Sequence, residues 1–328
     1  YEAYGSSAPF LIEKNPYRLM DDVRGIGFAK ADRIAETLGA EKYGDLRTQS
    51  AIRHVLKQSM LSGHTCLPEG LLLRRAEEFL QVEPAEAEEA LKALIASGYV
   101  AENSYNSVRA VADSQAYLAE GYIAYKLVAL SRAVPRREVP AEVVDRVLAA
   151  EEMLSEKQRE AVRMAVESPV SVITGGPGTG KTTILNQVLK IFEQSGVVAL
   201  LAAPTGRAAK RMSELTGVEA KTIHRMLQVD WDDNDDPVFQ RNERNPLECD
   251  AVVIDELSMV DAYVFESVLR ALPIGCRLIL VGDSDQLPSV GPGNVIGDLI
   301  ASKVFPTVQL KEIFRQSMES LIVMNAHK

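Results

Sequence analysis

VSVITGGPGTGKTTILNQVLKIFEQSG, residues 170–196, decides the fold. Val170–Thr174 is a short run rich in β-branched residues, too short for a helix and bounded at once by glycine. After it, Gly175-Gly176-Pro177-Gly178-Thr179-Gly180-Lys181-Thr182 fits G-x-x-x-x-G-K-[ST] at every fixed position. An amphipathic stretch from Thr182 to Gly196 follows, with Ile184, Leu185, Val188, Ile191 and Phe192 at helical spacing. Strand, glycine loop and helix in that order are what a phosphate site needs. Glycines let the backbone turn its N–H groups inward, and the helix N-terminus adds positive potential. The residues from Gly176 to Thr183 therefore read as a cradle for a nucleoside triphosphate, with ATP the expected ligand. Lys181 is a point charge for the β- and γ-phosphates, and Thr182 is a Mg²⁺ ligand. A chance lysine beside a glycine-rich turn would not bring the flanking strand and helix with it.

Reading outward, the pattern repeats. VVALLAAP, DAVVID and CRLILVGD are further apolar runs, the first followed by the helical stretch GRAAKRMSELTG. Apolar strands alternating with amphipathic helices predict an α/β fold, a parallel sheet with helices on both faces. In Val252-Val253-Ile254-Asp255-Glu256 a strand delivers two carboxylates to its C-terminal end, where open α/β sheets place ligands. Asp255 is the second candidate Mg²⁺ ligand. Glu256 is placed to polarise a water for attack on a terminal phosphate. Adjacent carboxylates repel, so a cation between them is the economical reading; an ordinary strand end is the alternative.

Residues 1–150 read as mostly helical. NPYRLMDDVRGIGFAKADRIAETLG carries apolar residues at roughly helical spacing, interrupted by Gly25-Ile26-Gly27. AIRHVLKQSMLSG, LLLRRAEEFL and PAEAEEALKALIASG are three further helices, and residues 99–118 alternate around a polar turn, predicting a hairpin. Helices followed by a hairpin suggest a winged-helix-like arrangement. The expected division is 1–70 (helix-hairpin-helix-like), 71–150 (winged-helix-like, bridging), 151–312 (first RecA-like domain) and 313–328 (start of a second). The chain begins at Tyr1 without an initiator Met and ends inside a recognisable pattern, so a fragment of a longer protein is expected. Three dispersed cysteines, Cys66, Cys249 and Cys276, exclude a disulfide framework and a CxxC zinc site and fit a reducing, cytoplasmic setting. No run of ~18 apolar residues is present, so no membrane partner is expected. A net charge of −10 argues against a general nucleic-acid coat, although five aspartates between Asp230 and Asp236 supply much of the excess.

LSEKQREAV, GGPGTGKTT, APTGRAAKRM, KTIHRML, VVIDELSM, GDSDQLPSVGPGN and LKEIFRQ occur in this order. Together they resemble the ordered motifs of superfamily 1 DNA helicases. The chain is most similar to the long RecD-like form, whose N-terminal extension resembles NPYRL…RGIGFAKADRIA here. The resemblance implies an ATP-dependent 5′→3′ helicase that moves along single-stranded DNA and opens duplexes in repair or recombination. Gln158 would read the adenine edge, Gln286 would sense the γ-phosphate, and Arg315 would contact it from the far side of the cleft. DNA contacts carry over onto Pro204, Thr205, Arg207, Thr222, His224 and Asn294. Implied partners are single-stranded DNA, single-strand/duplex junctions and a single-stranded-DNA-binding protein, with a monomeric motor.

Each carry-over stands beside a plainer reading. Gln158 alone is a polar residue on the surface of an amphipathic helix, and Arg315 a surface ion-pair former. Arg207, Lys210 and Arg211 could be a solvated helix face, His224 a buried structural histidine, and Gly25–Gly27 a scaffold turn. Residues 227–247 read as a projecting hairpin with an acidic tip, which in the family acts as a pin that splits the duplex. In it Trp231 or Phe239 could stack on the last base pair, or the two could pair to stabilise the hairpin itself. The rival functional classes are a P-loop ATPase that does not unwind and a DNA-binding module without enzymatic activity.

Overall fold

The computed structural model describes residues 5–39, 44–105, 107–231 and 237–312. The chain forms two compact units, Tyr1–Leu118 and Ala119–Lys328.

In the first unit, α1 (Ala8–Lys14), α2 (Leu19–Asp22) and α3 (Phe28–Gly39) precede α4 (Gly44–Leu61). The turn between α2 and α3 needs Gly25, whose φ of +79° suits glycine, and Lys30 donates to the Gly25 carbonyl at 2.8 Å. Tyr17, Phe28, Ala31, Ala35, Ala51 and Leu80 form a small core there. The Tyr17 hydroxyl donates to Asp32 at 2.5 Å, and Arg47 pairs with the same carboxylate at 2.9 Å. Then come β1 (Cys66–Pro68), α5 (Glu69–Leu80), α6 (Pro84–Ala96), β2 (Val100–Tyr105) and β3 (Val108–Asp113). The strands form one antiparallel sheet in the order β1-β3-β2. Helix, strand, two helices and two strands is the winged-helix order, beginning with α4.

One expectation needs correction. The hairpin predicted over 99–118 stops at Asp113, because the Asp113 carboxylate accepts from the Gln115 amide at 2.9 Å and turns the chain into α7 (Ser114–Arg132). The compact units divide after Leu118, so the expected subdivisions near 70 and 150 each lie inside one unit. Leu67 stands opposite Val111 in the sheet, so residues on both sides of 70 share one core. In the second unit, Val144, Val147 and Leu148 of α8 (Ala141–Ala149) sit in the cluster that holds Ile184 and Val188.

The second unit continues with α9 (Glu156–Glu167), β4 (Val170–Gly175), α10 (Lys181–Gln194), β5 (Ala199–Ala203), α11 (Gly206–Thr216), β6 (Ala220–Thr222) and α12 (Ile223–Met226). A two-stranded hairpin, β7 (Val229–Trp231) and β8 (Pro237–Phe239), is followed by β9 (Ala251–Ile254), α13 (Ala262–Ala271), β10 (Arg277–Gly282), α14 (Val295–Ser302) and β11 (Thr307–Leu310). Six strands form a parallel sheet in the order β11-β4-β10-β9-β5-β6. Its strands bury both faces in strict alternation. Val252, Ile254, Leu278 and Leu280 enter one apolar cluster, and Ala251, Val253, Ile279 and Val281 the other. Each fully buried Val, Leu or Ile contributes roughly 1.5–3 kcal/mol, so the central strands hold the C-terminal sheet edge rigid. That edge carries the site. No helix among the described residues is long and apolar enough to cross a membrane.

Candidate nucleotide and nucleic-acid site

The glycine loop leaves the end of β4 and runs into α10. Gly178 (φ +79°) and Gly180 (φ +85°) take left-handed conformations that other residues adopt only with strain. Gly175 is required for space, since a Cβ there would lie 2.8 Å from the Leu310 carbonyl oxygen of β11. Thr179 is buried, and its hydroxyl donates to the Gly176 carbonyl at 2.8 Å, closing the loop from inside. No side chain caps the N-terminus of α10, which leaves its first amides to a ligand. The Lys181 ammonium donates to the carbonyls of Gly175 and, at 3.1 Å, Gly176. Burial pushes its pKa down, an effect opposed by Asp283, Asp255 and Glu256. A desolvated cation beside an uncapped helix start fits a polyphosphate.

Asp255 and Glu256 follow β9, and Asp283 follows β10, the strand between β4 and β9. The carboxylates thus stand along one edge beside the loop. Burial raises the pKa of Asp255; burial, then repulsion from Asp255, raises that of Glu256. Asp255 accepts from the Glu256 amide at 2.9 Å. Glu256 itself has φ +54° and ψ +42°, a left-handed conformation that costs a non-glycine residue about 1–3 kcal/mol. Strain and disfavoured charge coincide where a divalent cation would relieve the charge. Among the described residues no group of three His, Cys, Asp or Glu could hold a metal. Mg²⁺ needs only one or two protein ligands, since it keeps waters and substrate phosphates as the others, and Thr182 and Asp255 remain the candidates for it.

Gln158 is not the surface residue that the plainer reading allowed: it is 2% exposed. Its amide oxygen accepts from the Ser155 amide at 3.1 Å and its Nε2 lies 3.4 Å from the Thr179 carbonyl, so it joins the start of α9 to the phosphate loop. Beside it opens a cleft of about 1080 Å³ reached by Lys157, Thr179, Gln309 and Lys311. Gln286 is exposed on the segment after β10, and its Oε1 accepts from the Ser258 hydroxyl at 3.4 Å. Ser258 ties the Gln286 segment to the one carrying Glu256; the SM of VVIDELSM was the available signal for it. Arg315 lies outside the described residues.

The candidate DNA residues occupy the far end of the same edge. Thr205 caps α11 by accepting from the Ala208 amide at 3.2 Å, and Thr222 caps α12 by accepting from Arg225 at 3.2 Å. Each hydroxyl keeps its proton to donate to a phosphate oxygen. A groove of about 410 Å³ joins the two caps, lined by Gly206, Lys210, Lys221, Thr222 and Arg225. Pro204 leads into it and Arg207 is exposed on the first turn of α11. Asn294, also exposed, is not among the groove residues; it caps α14, accepting from the Gly297 amide at 3.2 Å. His224 is half-buried, its ring 5.7 Å from that of Phe239.

That contact changes the reading of the hairpin. Trp231 stands opposite Pro237 in register, and Phe239 opposite Val229. Phe239 packs on the core and on His224, so the suggested Trp–Phe pair is not formed and Phe239 is not free to stack on a base. Trp231 is 60% exposed. The acidic tip, residues 232–236, lies outside the described residues.

The family described as "AAA domain" matches residues 158–292, and "ATP-dependent RecD2 DNA helicase HHH domain" matches residues 1–66. The ATP-dependent RecD2 DNA helicase of Deinococcus radiodurans is 30% identical over 334 residues, covering 99% of this chain and 46% of that protein. The RecBCD enzyme subunit RecD of Mycolicibacterium smegmatis is 38% identical over 168 residues, covering 44% of this chain and 30% of that subunit. The solved structure of Pif1 helicase from Candida albicans aligns over 52% of this chain and 42% of its own, with 24% identity and a TM-score of 0.38. The chain spans less than half the length of these curated relatives.

Proposed function

We propose, from the similarity of this chain to the RecD-like helicases of superfamily 1, that the full-length protein is an ATP-dependent DNA helicase moving 5′→3′ on single-stranded DNA. The observation that carries this reading is one sheet edge with a phosphate loop and paired carboxylates at one end and two threonine-capped helix starts at the other. Both ends are built on neighbouring strands, so a change at one is transmitted through a rigid sheet.

The chemistry follows from the side chains. Glu256 orients a water towards the γ-phosphate, and burial, which raises its pKa, makes it a stronger proton acceptor than a solvated carboxylate. Lys181 leaves the Gly175 and Gly176 carbonyls to meet the phosphates. Thr182 and Asp255 would hold Mg²⁺, which when bound neutralises phosphate charge. Gln158 reads the base from the cleft beside α9. Gln286, held by Ser258, links occupancy of the phosphate site to the segment that leads to Asn294. Arg315 supplies a cation from beyond the described edge. Pro204, Thr205, Arg207, Thr222 and His224 hold the strand, and the hairpin of Trp231 meets the duplex at a junction. Action as a monomer, in the cytoplasm, in repair or recombination and beside a single-stranded-DNA-binding protein belongs to the same proposal.

The test is ATPase activity of the full-length protein with and without single-stranded DNA, followed by strand displacement on 5′- and 3′-tailed duplexes. DNA-stimulated hydrolysis with displacement of the 5′-tailed duplex alone is the expected result. Hydrolysis indifferent to DNA would leave a P-loop ATPase of another kind.

A further inference from the structure

Helix α11 carries more positive charge than DNA contact at its start requires. Lys210 lies near Glu214 at 3.9 Å, whereas Arg211 is exposed and has no carboxylate partner among the described residues. Its position along the helix can be read from a single bond. The Asn186 side chain of α10 donates to the Leu215 carbonyl of α11 at 3.2 Å. Both helices follow strands of one parallel sheet, β4 and β5, and so run the same way. An offset of 29 residues between Asn186 and Leu215 sets Arg211 level with Thr182, on the first turn of α10. Met212, its neighbour, is buried in the cluster that holds Ile184 and Val188 of α10, which fixes the rotation of α11 against that helix.

Arg207, one helical turn back at about 6 Å of rise, lies on the same helix face and towards the DNA end.

Resting on the helicase reading, we propose that Arg211 is a further cation of the nucleotide site, reaching the terminal phosphate from α11. The helix whose first turn grips DNA thereby carries a phosphate contact one turn further on. A guanidinium suits this place because its fork binds two phosphate oxygens at once and its charge survives desolvation, which a lysine does less well. Movement of α11 on binding DNA then changes how firmly a triphosphate is held relative to a diphosphate, with no separate relay needed.

The experiment compares Arg211→Gln and Arg211→Lys with the unsubstituted full-length protein, measuring equilibrium binding of a nonhydrolysable ATP analogue, of ADP and of an oligothymidylate. Loss of one charged hydrogen-bonding group predicts about a tenfold weaker hold on the triphosphate analogue, with ADP and nucleotide-free DNA affinities within about twofold. Arg211→Lys should recover only part of the loss. Weaker DNA binding with an unchanged ratio of triphosphate to diphosphate affinity would overturn the proposal and make Arg211 a DNA contact. An unsubstituted protein that binds no triphosphate would overturn the helicase reading itself. Thermal melting of each variant separates these outcomes from unfolding: a variant that melts early and loses ADP as well counts against a phosphate role.

Discussion

The two ends of the sheet edge are built on opposite physical plans. At the nucleotide end the ionisable groups are buried and set against their own hydration: Lys181 pushed down, Asp255 and Glu256 pushed up, Glu256 in a strained backbone conformation. At the proposed DNA end Arg207 and Lys210 are exposed, Thr205, Thr222 and His224 are half-buried, and the two threonines rest on ordinary helix caps. A small, highly charged ligand rewards preorganisation in a low-dielectric cradle, where each contact is strong. A long polymer that must be released at every step is better held by many weak, solvated contacts. Substitutions should therefore act almost all-or-none at one end and gradually at the other.

The largest expected effect is Lys181→Ala, which removes the one cation inside the cradle. ATPase and unwinding should fall below detection while single-stranded DNA binding persists, measured by phosphate release and fluorescence anisotropy. Unwinding at the unsubstituted rate would erase the contrast between the two ends.

Glu256→Gln comes next. Hydrolysis should drop about 10²–10⁴-fold with nucleotide still bound. This substitution also sharpens the comparison through stability. Because the folded-state pKa of Glu256 is raised, the native state holds its proton to higher pH than the unfolded chain does. Its contribution to stability is therefore greatest below the unfolded value and is lost as pH rises through the raised folded value. Above that window Glu256→Gln should raise the melting temperature of the nucleotide-free protein, by about 2 °C or more, and near pH 4 the gain should vanish. A melting temperature equally changed at both pH values would show that the group is not held against its charge.

At the DNA end, Thr222→Val should weaken single-stranded DNA binding only severalfold. Loss of the α12 cap costs about 1 kcal/mol of stability besides. DNA affinity unchanged alongside a lower melting temperature would reduce Thr222 to a cap.

How much of this could be read beforehand differs between the same two ends. The phosphate loop and Asp255–Glu256 were legible because the chemistry demands fixed residue types at short spacing, next to strands with an unmistakable apolar run. Gln158 shares the buried stripe of α9 with Ala161, Val162, Ala165 and Val166, so the helical period places it inward, but its polar side chain disguised that position until its contact with the Thr179 carbonyl was in place. The role of Arg211 depends on the offset between α10 and α11, which no local pattern encodes. The winged-helix order is legible only in part, because β1 is three residues long and pairs with a strand over forty residues away. Thr205 and Thr222 are expected DNA contacts only through the family resemblance, while their capping bonds appear only when the following helix is in place.

The hairpin gives the smallest effect and the cleanest separation of roles. Two aromatic residues stand two positions from symmetric places in its strands, yet Phe239 packs on His224 and the core while Trp231 faces Pro237 and solvent. Phe239→Ala should lower stability by about 2 kcal/mol, since it empties packed space beneath the hairpin. Trp231→Ala should leave stability within about 0.5 kcal/mol, because little of the ring is covered. If the exposed indole meets the last base pair, Trp231→Ala should slow strand displacement about threefold while DNA-stimulated ATPase stays unchanged, since stacking of one ring is worth about 1–3 kcal/mol and bears on the duplex alone. Equal slowing of ATPase and displacement would place Trp231 on the translocating strand instead. No slowing at all would leave the duplex-splitting work to some other part of the hairpin.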